Sequence, residues 1–287
     1  MTTPPPEIGT PQLIAGLIAS IMLSAGIIAD IFILSILKKN KIKWKKRLLQ
    51  LQARPWNYFD GIYILLILGT FFAALILSAQ IIDQCGIDIS ETTEKIIILA
   101  ETILMHCIII GTIENLRRKH KLSYKECFST PQLSLPSALK QSLFFYLATI
   151  PPIIVVATIV NSILSHFQIP LESQEILEIF SEPSSPLWLQ STTILLAVVM
   201  APIIEETIFR GIALPIALKH TSPIMAIFAT SAIFALIHGN LQAIAPLFVL
   251  ATGLAAAHIY TRSLIVPIAM HAIFNTVSLI LYMMVTQ

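Results

Sequence analysis

Glu205 and Glu206 stand side by side in Met200-Ala-Pro-Ile-Ile-Glu-Glu-Thr-Ile-Phe-Arg210, where most neighbours are apolar. A carboxylate at the centre of a membrane helix costs about 2.5–3.5 kcal/mol on insertion scales, so such groups read as functional by default. Two more spacings follow downstream: Phe234-Ala-Leu-Ile-His238 and His271-Ala-Ile-Phe-Asn275. Residues four apart lie on one helix face, one turn above the other. Glu206 is therefore placed to pair with Arg210, in the favourable acid-first order. Glu205 lies about 100° away round the helix and is left free to point elsewhere. Phe234 can wall the imidazole of His238, and His271 and Asn275 can address one point. One spare carboxylate, two imidazoles and an amide among apolar helices suit hydrolysis by an activated water. The carboxylate can take the proton, one histidine can hold the water, and the other histidine and the amide can donate to an oxyanion. There is no G-x-S-x-G nucleophile motif and no H-E-x-x-H zinc motif, and no cysteine lies near these residues.

Each pattern has an ordinary explanation too. The two glutamates and Arg210 could be a structural charge cluster at a helix end. His238 precedes Gly239-Asn240 and could simply meet interfacial water. His271 and Asn275 could be interhelical polar glue, worth about 0.6 kcal/mol on average. The three ordinary explanations must all hold together to displace the chemical one. Asp30, Glu101, His106 and His258 also interrupt apolar runs, but no spacing connects them. They are read as packing or water-facing groups.

The three motifs together resemble the CPBP family, which contains the type II CAAX prenyl endopeptidases and the bacterial Abi proteins. That family's pattern is E-E-x-x-x-R, then F-x-x-x-H, then H-x-x-x-N on successive membrane helices. All three stand in order between Glu205 and Asn275, and the resemblance covers about the last 100 residues. It implies an eight-helix intramembrane endopeptidase. It further implies that Glu205 and His238 activate the water and that His271 and Asn275 form the oxyanion site. Glu206, Arg210 and Phe234 would support them. No cofactor is fixed by these residues. The alternative keeps the enzyme and adds zinc, held by Glu205, His238 and His271 with water in the fourth position. A rival of another class is a non-catalytic proton-coupled transporter or immunity scaffold, since intramembrane acids and histidines also build proton relays. That rival predicts matching polar groups in both halves. The first half has no counterpart motif.

The elements that must position these groups are membrane helices. The chain has 287 residues, 56% hydrophobic and only 12% charged, against about 25% charged in a soluble domain. Its mean hydropathy is +0.82. Apolar runs of about 20 residues recur, without the short alternating segments of a β-barrel. The expected fold is all-α, a polytopic membrane protein of about eight transmembrane helices. The spans are Leu13–Leu37, Phe59–Ile82, Ile96–Ile113, Ser142–Leu164, Leu189–Leu218, Pro223–His238, Leu241–Tyr260 and Leu264–Val285. Residues 1–12 read as a disordered Pro-rich tail, 13–188 as N-terminal helices with basic loops, and 189–287 as the catalytic membrane domain. The run Leu189–Leu218 is about 45 Å long and must tilt, kink or break, with Pro202 and Pro215 as the obvious places. Straight spans would also hold His238 and His271 at different depths, about 22 Å and 11 Å from their cytoplasmic ends.

Charge orients the chain. The first connection carries Lys38, Lys39, Lys41, Lys43, Lys45, Lys46, Arg47 and Arg54, and the third carries Arg117, Arg118, Lys119, Lys121, Lys125 and Lys140. The second and fourth are acidic, the fourth with Glu172, Glu175, Glu178 and Glu182. The positive-inside rule puts loops one and three in the cytoplasm, with both termini outside. Lys219 and Arg262 fall on cytoplasmic ends. The expected setting is the cytoplasmic membrane. The expected partners are membrane lipid and a peptide or protein substrate, and no nucleic acid. The first basic run is read as a topogenic loop. Cys85, Cys107 and Cys127 are scattered, so neither a zinc ribbon nor a disulfide framework is indicated. The substrate stays open between a prenylated C-terminus, a bacteriocin-like peptide and a membrane-protein tail.

Overall fold

A computed structural model describes residues 9–39, 41–86, 88–124, 133–169 and 186–286. Among them every regular element is helical. The acidic fourth connection, Cys127 and residues 1–8 of the expected tail lie outside the described residues. Helix begins at Thr10, inside the stretch read as tail.

In chain order the helices are α1 (Thr10–Lys39), α2 (Lys41–Gln52), α3 (Tyr58–Gln84), α4 (Glu91–Lys119) and α5 (Leu135–His166). The long α6 (Leu187–His220), α7 (Pro223–Leu236), α8 (Leu241–Thr261) and α9 (Ile265–Thr286) follow. Seven are long and apolar enough to cross a membrane, and α7, with 14 residues, is a shorter apolar helix. The protein is thus an all-α polytopic membrane protein. The sequence ran the α7 stretch on to His238. Instead the helix stops at Leu236, and Gly239 turns the chain with φ +67°. That left-handed conformation is open to glycine without steric penalty. Asn240 then caps α8, its side chain accepting from the Ala243 N–H.

The described second half packs on α5, α1 and α2. Phe145, Tyr146 and Ile150 of α5 meet Phe209, Phe234, Leu250, Leu254 and Met270 in one buried cluster. The α5–α8 contact is close enough that a Cβ on Gly253 would overlap the Thr149 methyl group. Buried Ser142 of α5 donates to the Val266 carbonyl of α9 at 3.0 Å. The outer faces of the helices keep large apolar side chains exposed, among them Leu17, Ile28, Leu65 and Leu66, as lipid contact requires.

The first basic connection contains a helix. In α2, Trp44, Leu48 and Leu51 recur at helical spacing. They pack on Leu214, Leu218, Ala255 and Ile259. The following link ties the same end of α6. Gln52 Nε2 donates to Leu218 O at 2.6 Å, and Lys219 Nζ donates to the carbonyls of Arg54 and Trp56. Arg262 Nη1 reaches Gln50 Oε1 at 3.0 Å, and Lys119 and His120 both bind Asp60. The first and third connections, Lys219 and Arg262 therefore gather at one end of the bundle.

Candidate active site

The two glutamates sit on α6 between two widened turns. The helix runs α-helical over Leu187–Leu195, π-helical over Leu196–Met200, and α-helical over Ala201–Glu206. It is π-helical again over Thr207–Ala213 and α-helical over Leu214–His220. Each π stretch ends two residues before a proline, Pro202 or Pro215. A proline inside a helix lacks an N–H, and its ring clashes with the carbonyl four residues back. Lengthening the local bonding pattern relieves that clash without stopping the helix, and such π turns are frequent at functional sites. The prolines marked from sequence as places to kink or break thus widen an unbroken helix.

Glu206 is fully buried. Its Oε1 accepts from Arg210 Nη1 at 2.9 Å and from His271 Nδ1 at 3.0 Å. Arg210, 2% exposed, also donates Nη2 to Ala251 O at 2.8 Å, and its guanidinium lies 4.8 Å from the Phe234 ring centroid. The buried cation thus has a carboxylate, a carbonyl and an aromatic face around it. Glu205 points away, as its position round the helix requires. Its Oε2 lies 4.0 Å from both His238 Nε2 and His271 Nε2, and that oxygen is buried without a hydrogen-bond partner.

The histidines are oriented from behind. His271 Nδ1 faces Glu206, and His238 Nδ1 faces the Phe234 carbonyl at 2.7 Å. Each of these partners accepts, so each Nδ1 carries the proton. Each ring then turns its Nε2 towards Glu205. Phe234, completely buried, holds both rings, with centroids at 4.8 Å from His238 and 5.8 Å from His271. Straight parallel spans would separate the two imidazoles in depth, yet they meet at one oxygen. Three acceptor atoms therefore converge on a space that a direct hydrogen bond cannot close at 4.0 Å.

Asn275 departs from the sequence reading. It shares a face with His271, but the hydrogen-bond partners of the two differ. His271 reaches Glu206, whereas Asn275 Nδ2 donates to the Ala197 carbonyl at 2.7 Å. That carbonyl belongs to the first π stretch. The remaining polar groups lie apart from this constellation. His106 Nδ1 bonds its own helix at Thr102 O, and His258 Nδ1 faces Ser263 O. Sequence reasoning missed Trp56, whose indole Nε1 donates to Gly211 O at 2.9 Å inside the second π stretch. Its only signal was a lone tryptophan between a basic run and an apolar one.

Residues 187–277 match the family described as Type II CAAX prenyl endopeptidase, Rce1-like. Over this segment the chain is similar to that family. The matched segment begins where α6 begins and ends within α9, so it contains Glu205, Glu206, Arg210, Phe234, His238, His271 and Asn275. Trp56, Asp60 and the helix α5 that backs the site lie outside it. No curated protein and no solved structure matches the chain. The chain is therefore an integral-membrane protein with a protease-family domain at its C-terminal end.

Proposed function

We propose that this protein is an endopeptidase that cleaves a peptide bond at or within the cytoplasmic membrane, by direct attack of a water held between Glu205, His238 and His271. The observation that carries this reading is the shared 4.0 Å separation of Glu205 Oε2 from the two Nε2 atoms. A water at about 2.8 Å from Glu205 Oε2 and from either Nε2 fits that spacing, and its two O–H groups supply donors to atoms that have none. Glu205 takes one proton as the water oxygen bonds to the carbonyl carbon. The carbonyl oxygen gains the negative charge, and His271, by taking up a solvent proton at Nε2, would become a donor to it. Asn275 has a second amide hydrogen beyond the one given to Ala197. When the C–N bond breaks, Glu205 returns its proton to the leaving amine. Glu206 fixes the ring of His271, and Arg210 neutralises Glu206. The expected orientation keeps the basic connections in the cytoplasm and both termini outside. The substrate class is a membrane-associated peptide or protein, prenylated or not.

The test is Glu205→Gln in purified protein reconstituted in lipid. Cleavage should fall about 10²–10⁴-fold, the usual contribution of a general base. Thermal unfolding should be unchanged. Equal turnover would remove Glu205 from the role.

A zinc reading has one feature in its favour, since each histidine has its far nitrogen held by an acceptor, as metal-ligating histidines do. The spacing does not fit. Tetrahedral ligands at about 2.0–2.1 Å from zinc stand about 3.3 Å from one another, and these stand at 4.0 Å. No step is routed through a metal. Turnover should survive exhaustive chelation. Its loss, with recovery on adding Zn²⁺, would overturn the water reading.

A further inference from the structure

Two prolines free two carbonyls on α6, and each is taken by a side chain from elsewhere in the chain. In the first π stretch the Ala201 N–H goes to Leu196 O, so the next donor, to Ala197, would be residue 202. That residue is Pro202, which has no N–H. Asn275 Nδ2 supplies the missing bond. Further along, the Leu214 N–H goes to Phe209 O, and residue 215, which would serve Arg210 O in the π register or Gly211 O in the α register, is Pro215, without an N–H. The Trp56 indole supplies a bond to Gly211 O, across a separation of 155 residues. Between the two clamped carbonyls lie Glu205, Glu206 and Arg210.

We propose that Trp56 is a positioning residue for the reaction. By closing the carbonyl that Pro215 frees, it holds the stretch Thr207–Ala213 in its widened register, and thereby sets Arg210 and Glu206 beneath His271. The inference rests on the reading of Glu205, Glu206 and His271 as the reacting machinery.

The side chain is suited to this task. An indole N–H only donates, and a buried carbonyl without a donor is costly. Trp56 is completely buried and packs on Ile64, Leu116, Ile212 and Ile216. Its ring stands edge-on to His120 at 5.9 Å. Its own carbonyl accepts from Lys219, one turn of helix beyond Pro215. The indole is thus anchored to both sides of the proline and cannot shift without moving the helix. Asn275 is its counterpart at the other π stretch, so part of that residue's role is positional as well.

Adding an N–H at residue 215 supplies a backbone donor to this turn, which gives a rescue experiment. Trp56→Phe, Pro215→Ala and the double variant are compared with the unaltered full chain in lipid nanodiscs. Two readouts are taken: amide hydrogen exchange across Thr207–Ala213, and kcat and KM on a farnesylated CAAX peptide, with Glu205→Gln as the blank. Trp56→Phe should speed exchange in that segment about ten-fold and lower kcat about 10–100-fold with KM little changed, as a sub-ångström misplacement of reacting groups does. The double variant should recover towards Pro215→Ala in both readouts. A Trp56→Phe protein indistinguishable from the unaltered one, or a double variant no better than Trp56→Phe, would overturn the proposal. Where Trp56→Phe alone does not fold, the double variant is judged against Pro215→Ala. Matching behaviour supports the clamp, and a deep loss refutes it. If Glu205→Gln still cleaves the peptide, the reading of the site fails, while the exchange data still decide the clamp.

Discussion

Asp60 and Glu206 are both fully buried, and each binds one cation and one imidazole. At Asp60 both oxygens are occupied. Lys119 takes Oδ1 at 3.0 Å, and His120 Nε2 and the Asn57 N–H take Oδ2 at 2.8 and 2.9 Å. The group caps α3 and ties the third connection to the first, with nothing left over. At Glu206 the cation and the imidazole crowd onto Oε1, and Oε2 is left without a partner. The histidine there uses Nδ1, so its Nε2 remains turned towards a second carboxylate. A carboxylate with one cation and one imidazole thus gives a saturated structural joint in one place and an unsaturated cluster in the other. A native protein keeps few buried polar atoms unpaired. Under the proposed function, the unfilled oxygens of two adjacent buried carboxylates facing two imidazoles are what a reacting water would use.

The comparison can be broken by substitution. Glu205→Gln carries the largest expected effect, the loss of turnover described above with stability retained. Arg210→Met comes next, because removing one partner of a buried ion pair strands the other, at about 3–5 kcal/mol. Thermal unfolding in detergent should show it, and an unchanged midpoint would mean that Glu206 finds another partner. Asp60→Asn should be milder, about 1–3 kcal/mol, since the hydrogen-bond geometry is kept in part. Its turnover per folded molecule should stay within a few-fold of the unaltered protein. A collapse as deep as that of Glu205→Gln would erase the distinction between the two clusters. Smallest is Lys119→Ala. That side chain is 54% exposed, so about 0–1 kcal/mol is expected, again read from unfolding.

The polar spacings were the legible part of this chain. Four-residue intervals put Glu206 by Arg210 and Phe234 by His238 because both intervals are local helix geometry. Separation of Glu205 from Glu206 was equally local. The bundle class was legible because apolar runs of this length have few alternatives. What could not be read were the joints between distant segments. Asn275 has the same local geometry as His271, but its partner lies 78 residues away in a turn whose shape depends on Pro202. The prolines were visible as stress points, although nothing local said that the helix would widen, or that Trp56 and Asn275 would close the gaps. The basic run after α1 read as a loop because its charge density hid the apolar stripe of Trp44, Leu48 and Leu51. The depth conflict between His238 and His271 arose because the span was run straight to His238, whereas the helix ends at Leu236 and the chain turns at Gly239.

The seam between α5 and the helices that follow α6 has a consequence for how the chain is made. Ser142 reaches an acceptor outside its own helix only when Val266 arrives, 124 residues later, and the groove beside Thr149 waits for the bare backbone of Gly253. At about 5–20 residues per second of synthesis, the wait from Ser142 to Val266 lasts about 6–25 seconds. During that interval α5 stands in the bilayer with its most closely fitted face open to lipid. The last helices must then displace that lipid before the protein is complete, so the final stage of biogenesis is a dewetting of fat rather than of water.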